Sequence, residues 1–194
     1  MSNKKLKLTL FEKINLCLSI IILVIAFASS NENLKYGGIS FLAASSLSII
    51  FIQLCKINFS KFEINILQVH IFISIFLGTI LNFYRFIPNF DFWLHMFFGL
   101  LGSVLAFPLI RFFFDKNNMK IKNVSPSFII FIAFCFSSTC GLLWEIYEFS
   151  VDHLFNLSTQ NNSLLDTMTD IIANTIGAII YCSTYYLKNK KQAK

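Results

Sequence analysis

The sequence predicts an all-α protein, a polytopic bundle of about six transmembrane helices. The first observation is composition: 56% of the 194 residues are hydrophobic, 24 are Phe and 13% are charged, against about 25% charged in soluble domains. The second is the length of the apolar stretches, and the third is the alternation of basic loops between them. Together they exclude a disordered chain, a disulfide scaffold and an ordinary water-soluble enzyme.

Six stretches have the length and apolar character needed to cross the hydrocarbon core, which takes about 20 residues in a helix. Because lipid offers no hydrogen-bond partners to the backbone, each stretch is expected to be helical. The predicted spans are residues 11–30, 38–55, 64–84, 91–114, 126–150 and 164–187.

The basic residues fix the predicted orientation. Fourteen of the 16 Lys and Arg residues lie in the N-terminus, the tail and alternate loops, and Lys35 and Arg85 are the exceptions. By the positive-inside rule, both termini are predicted to be cytoplasmic. The richness in Phe, Ile, Asn and Lys, which have AT-rich codons, indicates a bacterial genome and hence a bacterial cytoplasmic membrane. The net charge of +6 then requires no nucleic-acid partner.

The whole chain, 1–194, is predicted to be a single transmembrane domain. Residues 1–63 carry spans one and two, 64–90 span three and an outer loop, 91–187 spans four to six, and 188–194 a basic tail. An alternative for the first span stays open. Its lysines, apolar run and Ala26-Phe27-Ala28 also fit a signal peptide, whose cleavage would leave five spans.

Seven of the ten acidic residues map to the outer half of the predicted bundle. Most of them form three stripes, because residues three or four apart share a helix face. Span four carries Asp91 and His95, span five Glu145 and Glu148, and span six Asp166, Asp170 and Asn174. Since spans four and six run inward and span five outward, the stripes are predicted at one depth.

An ionisable group inside a membrane costs at least about 2.5 kcal/mol at the centre. A bound cation, shared protons or a basic partner would compensate for several such groups. Two of these acids have simpler interpretations. Asp91 could stabilise a helix N-terminus through its negative charge, and Asp166 fits a capping box. Asp152 is interpreted as a loop residue, as is its neighbour His153. Asp170 and Glu145 have no such explanation.

Three motifs in these spans resemble those of the VanZ-like and YjdF-like bacterial membrane proteins. They are D-x-x-x-H-x-x-x-G at Asp91 to Gly99, an acidic helix at Gly141 to Glu148, and D-x-x-x-D-x-x-x-N-x-x-G-A at Asp166 to Ala178. The double-acid pair favours the YjdF-like branch, which is largely uncharacterised. VanZ-like proteins are associated with lowered susceptibility to a lipoglycopeptide antibiotic. The resemblance therefore implies a helical membrane fold and a site more than an activity.

The first functional hypothesis is a metal-dependent enzyme that faces outward and acts on a lipid-linked envelope substrate. Carboxylates with one imidazole suit Mg²⁺, Mn²⁺ or Zn²⁺. The predicted metal ligands are Asp91, His95, Glu145, Asp166 and Asp170; Glu148, Asp170 and His95 are the predicted catalytic residues, with Glu148 as general base. Arg85, Tyr84 and Asn174 are the predicted substrate contacts.

Two alternatives need no catalysis. The acidic cluster could carry protons or a cation in a transporter or binding protein, as intramembrane acids often do. The protein could also be an immunity protein that changes antibiotic access to the envelope. The expected partners are membrane lipid and a second copy of the chain.

Overall fold

The computed structural model describes residues 8–119, 121, 124–155, 159–160 and 163–192, and no strand occurs among them. The all-α prediction is confirmed. In chain order the helices are α1 (Leu10–Ala28), α2 (Glu32–Cys55), α3 (Lys61–Ile71), α4 (Phe83–Phe86), α5 (Phe90–Lys116), α6 (Pro126–Phe155) and α7 (Leu164–Gln192), and a π-helical segment, Phe72–Ile80, continues α3.

Five helices in the described part of the chain are long and apolar enough to cross a membrane: α1, α2, α3 with its π-helical continuation, α5 and α6. The protein is therefore a polytopic helical membrane protein. The 29-residue α7 is also long enough, but it carries Asp166, Asp170 and a basic end, and it is not one of the five. The sixth span stays a prediction.

Several helix ends differ from the sequence prediction, among them the start of α2 and the end of α6. Helix α2 begins at Glu32 rather than at residue 38, because the Asn31 side chain caps it by accepting a hydrogen bond from the Leu34 backbone N–H at 3.0 Å. Helix α6 continues to Phe155. The interpretation of Asp152 and His153 as loop residues is therefore wrong, since both lie in the last turns of this helix.

The chain forms two compact units, Met1–Phe90 and Asp91–Lys194, and the single-domain organisation stays a prediction. In the first unit, Ile22, Phe41 and Ile71 form an apolar core. A buried polar network accompanies it. Asn15 Nδ2 donates to both the backbone oxygen and Oε1 of Gln68, each at 2.8 Å, and Gln68 Nε2 donates to Ser48 Oγ at 2.8 Å. The network joins α1, α2 and α3.

In the second unit, glycine allows α5 and α7 to touch through their backbones. A Cβ atom at Gly99 would overlap the backbone oxygen of Asn174, and one at Gly177 would overlap that of Met96. Helix α6 joins the same contact, since Ser137 Oγ donates to the Gly99 oxygen at 2.6 Å. This three-helix contact lies one to two turns from the acidic positions and so fixes their spacing.

Candidate functional site

His95 is the centre of a cluster of carboxylates contributed by α5, α6 and α7. Its residue surface is only 5% exposed. Nε2 lies 3.5 Å from Asp91 Oδ1 on the same helix, and Nδ1 lies 3.6 Å from Glu145 Oε1 on α6. These separations exceed the usual 2.7–3.2 Å of an N–H···O hydrogen bond. The imidazole therefore faces one carboxylate at each nitrogen without bonding tightly to either.

Two groups of ligand-type atoms share this imidazole. One comprises Asp91, His95 and Asp170, the other His95, Glu145 and Glu148, and within each group the atoms lie within 4.8 Å of one another. Both groups are contained in the second unit. The three acidic stripes predicted from sequence thus meet around His95.

The distances suit ligands that share an ion. Ligand atoms about 2.0–2.2 Å from one metal lie about 2.8–3.6 Å apart at bond angles near 90–110°. The 3.5 Å separation of His95 Nε2 from Asp91 Oδ1 falls in this range. A carboxylate–imidazole donor set is suitable for Mn²⁺ or Zn²⁺, and for Mg²⁺ through its oxygens.

Burial is deepest on the side of Glu145 and Asp170. Each is 3% exposed, whereas the side chain of Asp91 is 30% exposed. Several carboxylates this close repel one another, and removing them from water adds a further cost. A cation or shared protons among these groups would offset both the repulsion and the cost of desolvation.

Two side chains that the sequence analysis did not single out support the cluster. Gln160 Nε2 donates to Glu145 Oε2 at 3.2 Å and to the Glu145 backbone oxygen at 3.1 Å. Trp144 Nε1 donates to Glu148 Oε1 at 2.9 Å. Gln160 lies in a polar segment rich in Asn, Ser and Thr, where nothing in the pattern distinguishes it. Trp144 is one turn from Glu148, a spacing that could have identified the pair.

Asp152 holds the segment that carries Gln160. Its carboxylate accepts hydrogen bonds from the backbone N–H groups of Thr159, at 2.7 Å, and Gln160, at 2.9 Å. The Thr159 hydroxyl also donates to it, at 2.7 Å. The role of Asp152 is therefore to fix the chain after α6, and Gln160 is fixed with it.

Asn174 lies one turn beyond Asp170 on α7 and is 2% exposed. Its Nδ2 donates to the Ser137 backbone oxygen at 3.3 Å, while Oδ1 has no hydrogen-bond partner among the described residues. The amide packs where Gly141 has no side chain, since a Cβ there would lie 2.5 Å from Asn174 Cγ. Asn174 thus belongs to the packed layer adjoining the cluster.

The other predicted site residues are placed differently. Asp166 lies in the first turn of α7, where the Ser163 hydroxyl accepts a hydrogen bond from its backbone N–H at 3.4 Å. It belongs to neither of the two described ligand groups around His95. Tyr84 and Arg85 lie on the short helix α4 of the first unit, and both are exposed. Their role as substrate contacts stays a prediction.

Long apolar helices and a buried carboxylate–imidazole cluster define the class: a polytopic α-helical membrane protein with ionisable groups on its helices. The chain belongs to the family described as "Predicted membrane protein (DUF2238)", which matches residues 12–191. Membership in this family supports the assignment as a membrane protein. The more specific relationship to VanZ-like or YjdF-like proteins remains a resemblance.

One relative is an uncharacterised protein of Thermotoga maritima, 30% identical over 120 residues. The match covers 61% of this chain and 58% of that protein, so the chain spans less than two thirds of its relative's length. No solved structure matches the chain.

Proposed function

We propose that this protein is a divalent-cation-dependent hydrolase of the bacterial cytoplasmic membrane, with its site on the outer side. The substrate class is a phosphoester of a lipid-linked envelope molecule. One observation carries the proposal: the deeply buried His95 presents Nε2 3.5 Å from Asp91 Oδ1, and Asp91, His95 and Asp170 offer ligand atoms within 4.8 Å of one another, an arrangement that suits ligands around a shared ion.

Asp91 and Asp170, which form one ligand group with His95, would hold the cation. Glu145 faces the other nitrogen of the ring. Asp166, one turn before Asp170, adds negative charge on the same helix. A bound divalent cation supplies Lewis-acid polarisation of a phosphoryl oxygen and of water. The carboxylates alone would repel a phosphate, so binding of an anionic substrate depends on that compensation.

Glu148 is the proposed general base. It is half-buried, belongs to the His95–Glu145 group, and is oriented by Trp144 Nε1. In the proposed step, a water oxygen bonds to phosphorus as the bond from phosphorus to the lipid alcohol oxygen breaks. Glu148 takes a proton from the water and returns it to the departing oxygen.

Three measurements on the purified full-length protein test this proposal. Elemental analysis is expected to find a divalent metal, and chelation is expected to lower thermal stability. In liposomes containing polyprenyl phosphate esters, phosphate release should require Mn²⁺, Mg²⁺ or Zn²⁺ and should fall at least a hundredfold in Asp170→Asn. Asp115→Asn, an exposed acid at the far end of α5, is the matched control. Absence of metal and unchanged stability under chelation would contradict the proposal.

A second candidate function is proton- or cation-coupled transport. The observation in its favour is the order Asp91, His95, Glu145, in which an imidazole lies between a 30%-exposed and a 3%-exposed carboxylate. Such alternation suits proton transfer in membrane proteins. Proton or cation flux into proteoliposomes that disappears in Asp170→Asn would favour this candidate, and flux that is absent in the unmodified protein would exclude it.

A further inference from the structure

We infer that His95 binds the cation through Nε2, beside Asp91 and Asp170, while Glu145 is a positioning residue that accepts the Nδ1 proton and is held by Gln160. The inference rests on the proposed function and makes it more specific. It separates the acids around His95 into ligands and an orienting carboxylate, and it gives Gln160 a role.

The chemistry of imidazole requires that the two carboxylates facing His95 have different roles. A neutral imidazole has one nitrogen with a free lone pair and one N–H group. Only one of its nitrogens can therefore bind a cation while the ring stays neutral. Here Nε2 faces Asp91 and Nδ1 faces Glu145, so the two carboxylates must have different relations to the ring.

Existing hydrogen bonds favour Glu145 as the orienting carboxylate. Its Oε2 already accepts from Gln160, and Oε1 is the atom directed at Nδ1. Glu148, in the same group, already accepts from Trp144. Apart from the His95 contact, Asp91 and Asp170 accept no side-chain hydrogen bond from the residues that the structure describes. Their oxygens are thus the more available ligands.

The exposure of the carboxylates also favours Asp91 as a ligand and Glu145 as the orienting carboxylate. The Asp91 side chain is 30% exposed and offers an ion a route toward Nε2. Glu145 is 3% exposed, and Gln160, which covers it, is 8% exposed. A cation site needs an entry path, and the Nε2 side has the more exposed carboxylate.

Within the cluster, two of the buried atoms have no hydrogen bond to the residues that the structure describes: His95 Nδ1 and Glu145 Oε1. They face one another at 3.6 Å. Metal-binding histidines almost always donate their other N–H to a carboxylate, carbonyl or water, and losing that partner lowers affinity about 10–100-fold. A small closing movement on cation binding would satisfy both atoms at once.

The test uses purified full-length protein in detergent micelles, with Mn²⁺ for affinity and Cu²⁺ for spectroscopy. We expect Asp91→Asn and Asp170→Asn to weaken Mn²⁺ binding more than a hundredfold. Glu145→Gln and Gln160→Ala should weaken it about tenfold. Electron spin-echo envelope modulation of the Cu²⁺ form reports the imidazole nitrogen that does not bind the ion. Its frequencies should shift in Glu145→Gln and Gln160→Ala but not in Asp115→Asn.

Three outcomes would overturn the inference, and they are distinguishable. If the unmodified protein binds no divalent ion, the proposed function fails and the inference fails with it. If it binds Mn²⁺ but Glu145→Gln loses binding as completely as Asp170→Asn, Glu145 is a ligand and only the inference fails. If the Cu²⁺ spectrum is identical in the folded Glu145→Gln and Gln160→Ala variants, Nδ1 does not face this carboxylate in the loaded site.

Discussion

The two compact units bury polar groups in opposite ways. In the first unit the interhelical network of Asn15, Gln68 and Ser48 is neutral. In the second unit the corresponding groups are ionisable and surround His95. Neutral amides and hydroxyls commonly join transmembrane helices, whereas buried ionisable groups mark sites that bind ions or move protons. The first unit thus joins its helices through neutral polar groups, and the second unit carries the buried ionisable cluster.

The buried acids sharpen this contrast. Glu12 and Glu63 of the first unit are 4% and 8% exposed, as deeply buried as Glu145. Each belongs to a capping box, in which its carboxylate accepts the backbone N–H of Thr9 or Ser60. Their burial has a local cause at a helix N-terminus. Glu145 is in the interior of α6 and has no such cause, which directs attention to His95.

The largest effect is expected where glycine brings two backbones together. In Gly177→Ala, the added methyl group would meet the Met96 oxygen and the Leu100 nitrogen, backbone atoms of α5 that a side-chain rotation cannot move. Overpacking costs about 1–3 kcal/mol and sometimes more; we expect the upper end, seen as a large fall in thermal stability in detergent.

Gly37→Ala in the first unit is the matched control. Its Cβ would lie 2.9 Å from Ile80 Cγ1, a side-chain atom rather than a backbone atom, so a smaller loss is expected. Equal losses in the two variants would show that α5 and α7 are not in backbone contact.

Cation binding should stabilise the second unit. An ion present at a hundred times its dissociation constant adds about 2.7 kcal/mol to the free energy of unfolding. Mn²⁺ should therefore raise the melting temperature of the unmodified protein, and Asp170→Asn should abolish the increase. Removing one of several crowded acids should also raise the ion-free melting temperature of this variant. If Mn²⁺ stabilises Asp170→Asn as strongly as the unmodified protein, Asp170 is not a ligand.

The sequence could predict the helices and the acidic stripes because both depend on local periodicity. Runs of apolar residues located the spans, and i, i+4 spacing placed Asp91 with His95. The sequence could not show which ring nitrogen faces which acid, since that depends on how α5 and α6 pack. Nor could it identify Gln160, which reaches Glu145 from 15 positions away.

The neutral network of the first unit was also beyond prediction. Asn15 and Gln68 are separated by 53 positions, and each occurs alone in an apolar stretch, where no pattern connects them. The error over Asp152 had a related cause. An acid near the end of a span looks like a loop residue, but here its hydrogen bonds to Thr159 and Gln160 accompany the continuation of α6 to Phe155.

An intermediate effect is expected from the neutral network. Asn15→Leu keeps the number and branching of the side-chain heavy atoms but removes both hydrogen bonds to Gln68. Interhelical hydrogen bonds in membrane proteins average about 0.6 kcal/mol each and reach about 1.7, so we expect a loss of about 1–2 kcal/mol. Mn²⁺ affinity should be unchanged. A large change in affinity would show that the first unit takes part in cation binding.

The smallest effect is expected in Glu12→Gln. A Gln at this position still completes the capping box with Thr9, so the variant loses only the favourable interaction of a negative charge with the helix N-terminus. That interaction is worth about 0.3–1 kcal/mol, a difference that chemical denaturation in detergent can measure. The same acid-to-amide change at Glu145 replaces the carboxylate that faces His95 Nδ1 by a neutral amide, which is a weaker acceptor. It should therefore alter Mn²⁺ binding, which Glu12→Gln should leave unchanged. If Glu12→Gln and Glu145→Gln had the same effect on Mn²⁺ binding, buried acids would play the same part in both units. The contrast between capping acids in the first unit and a proposed cation site in the second would then be lost.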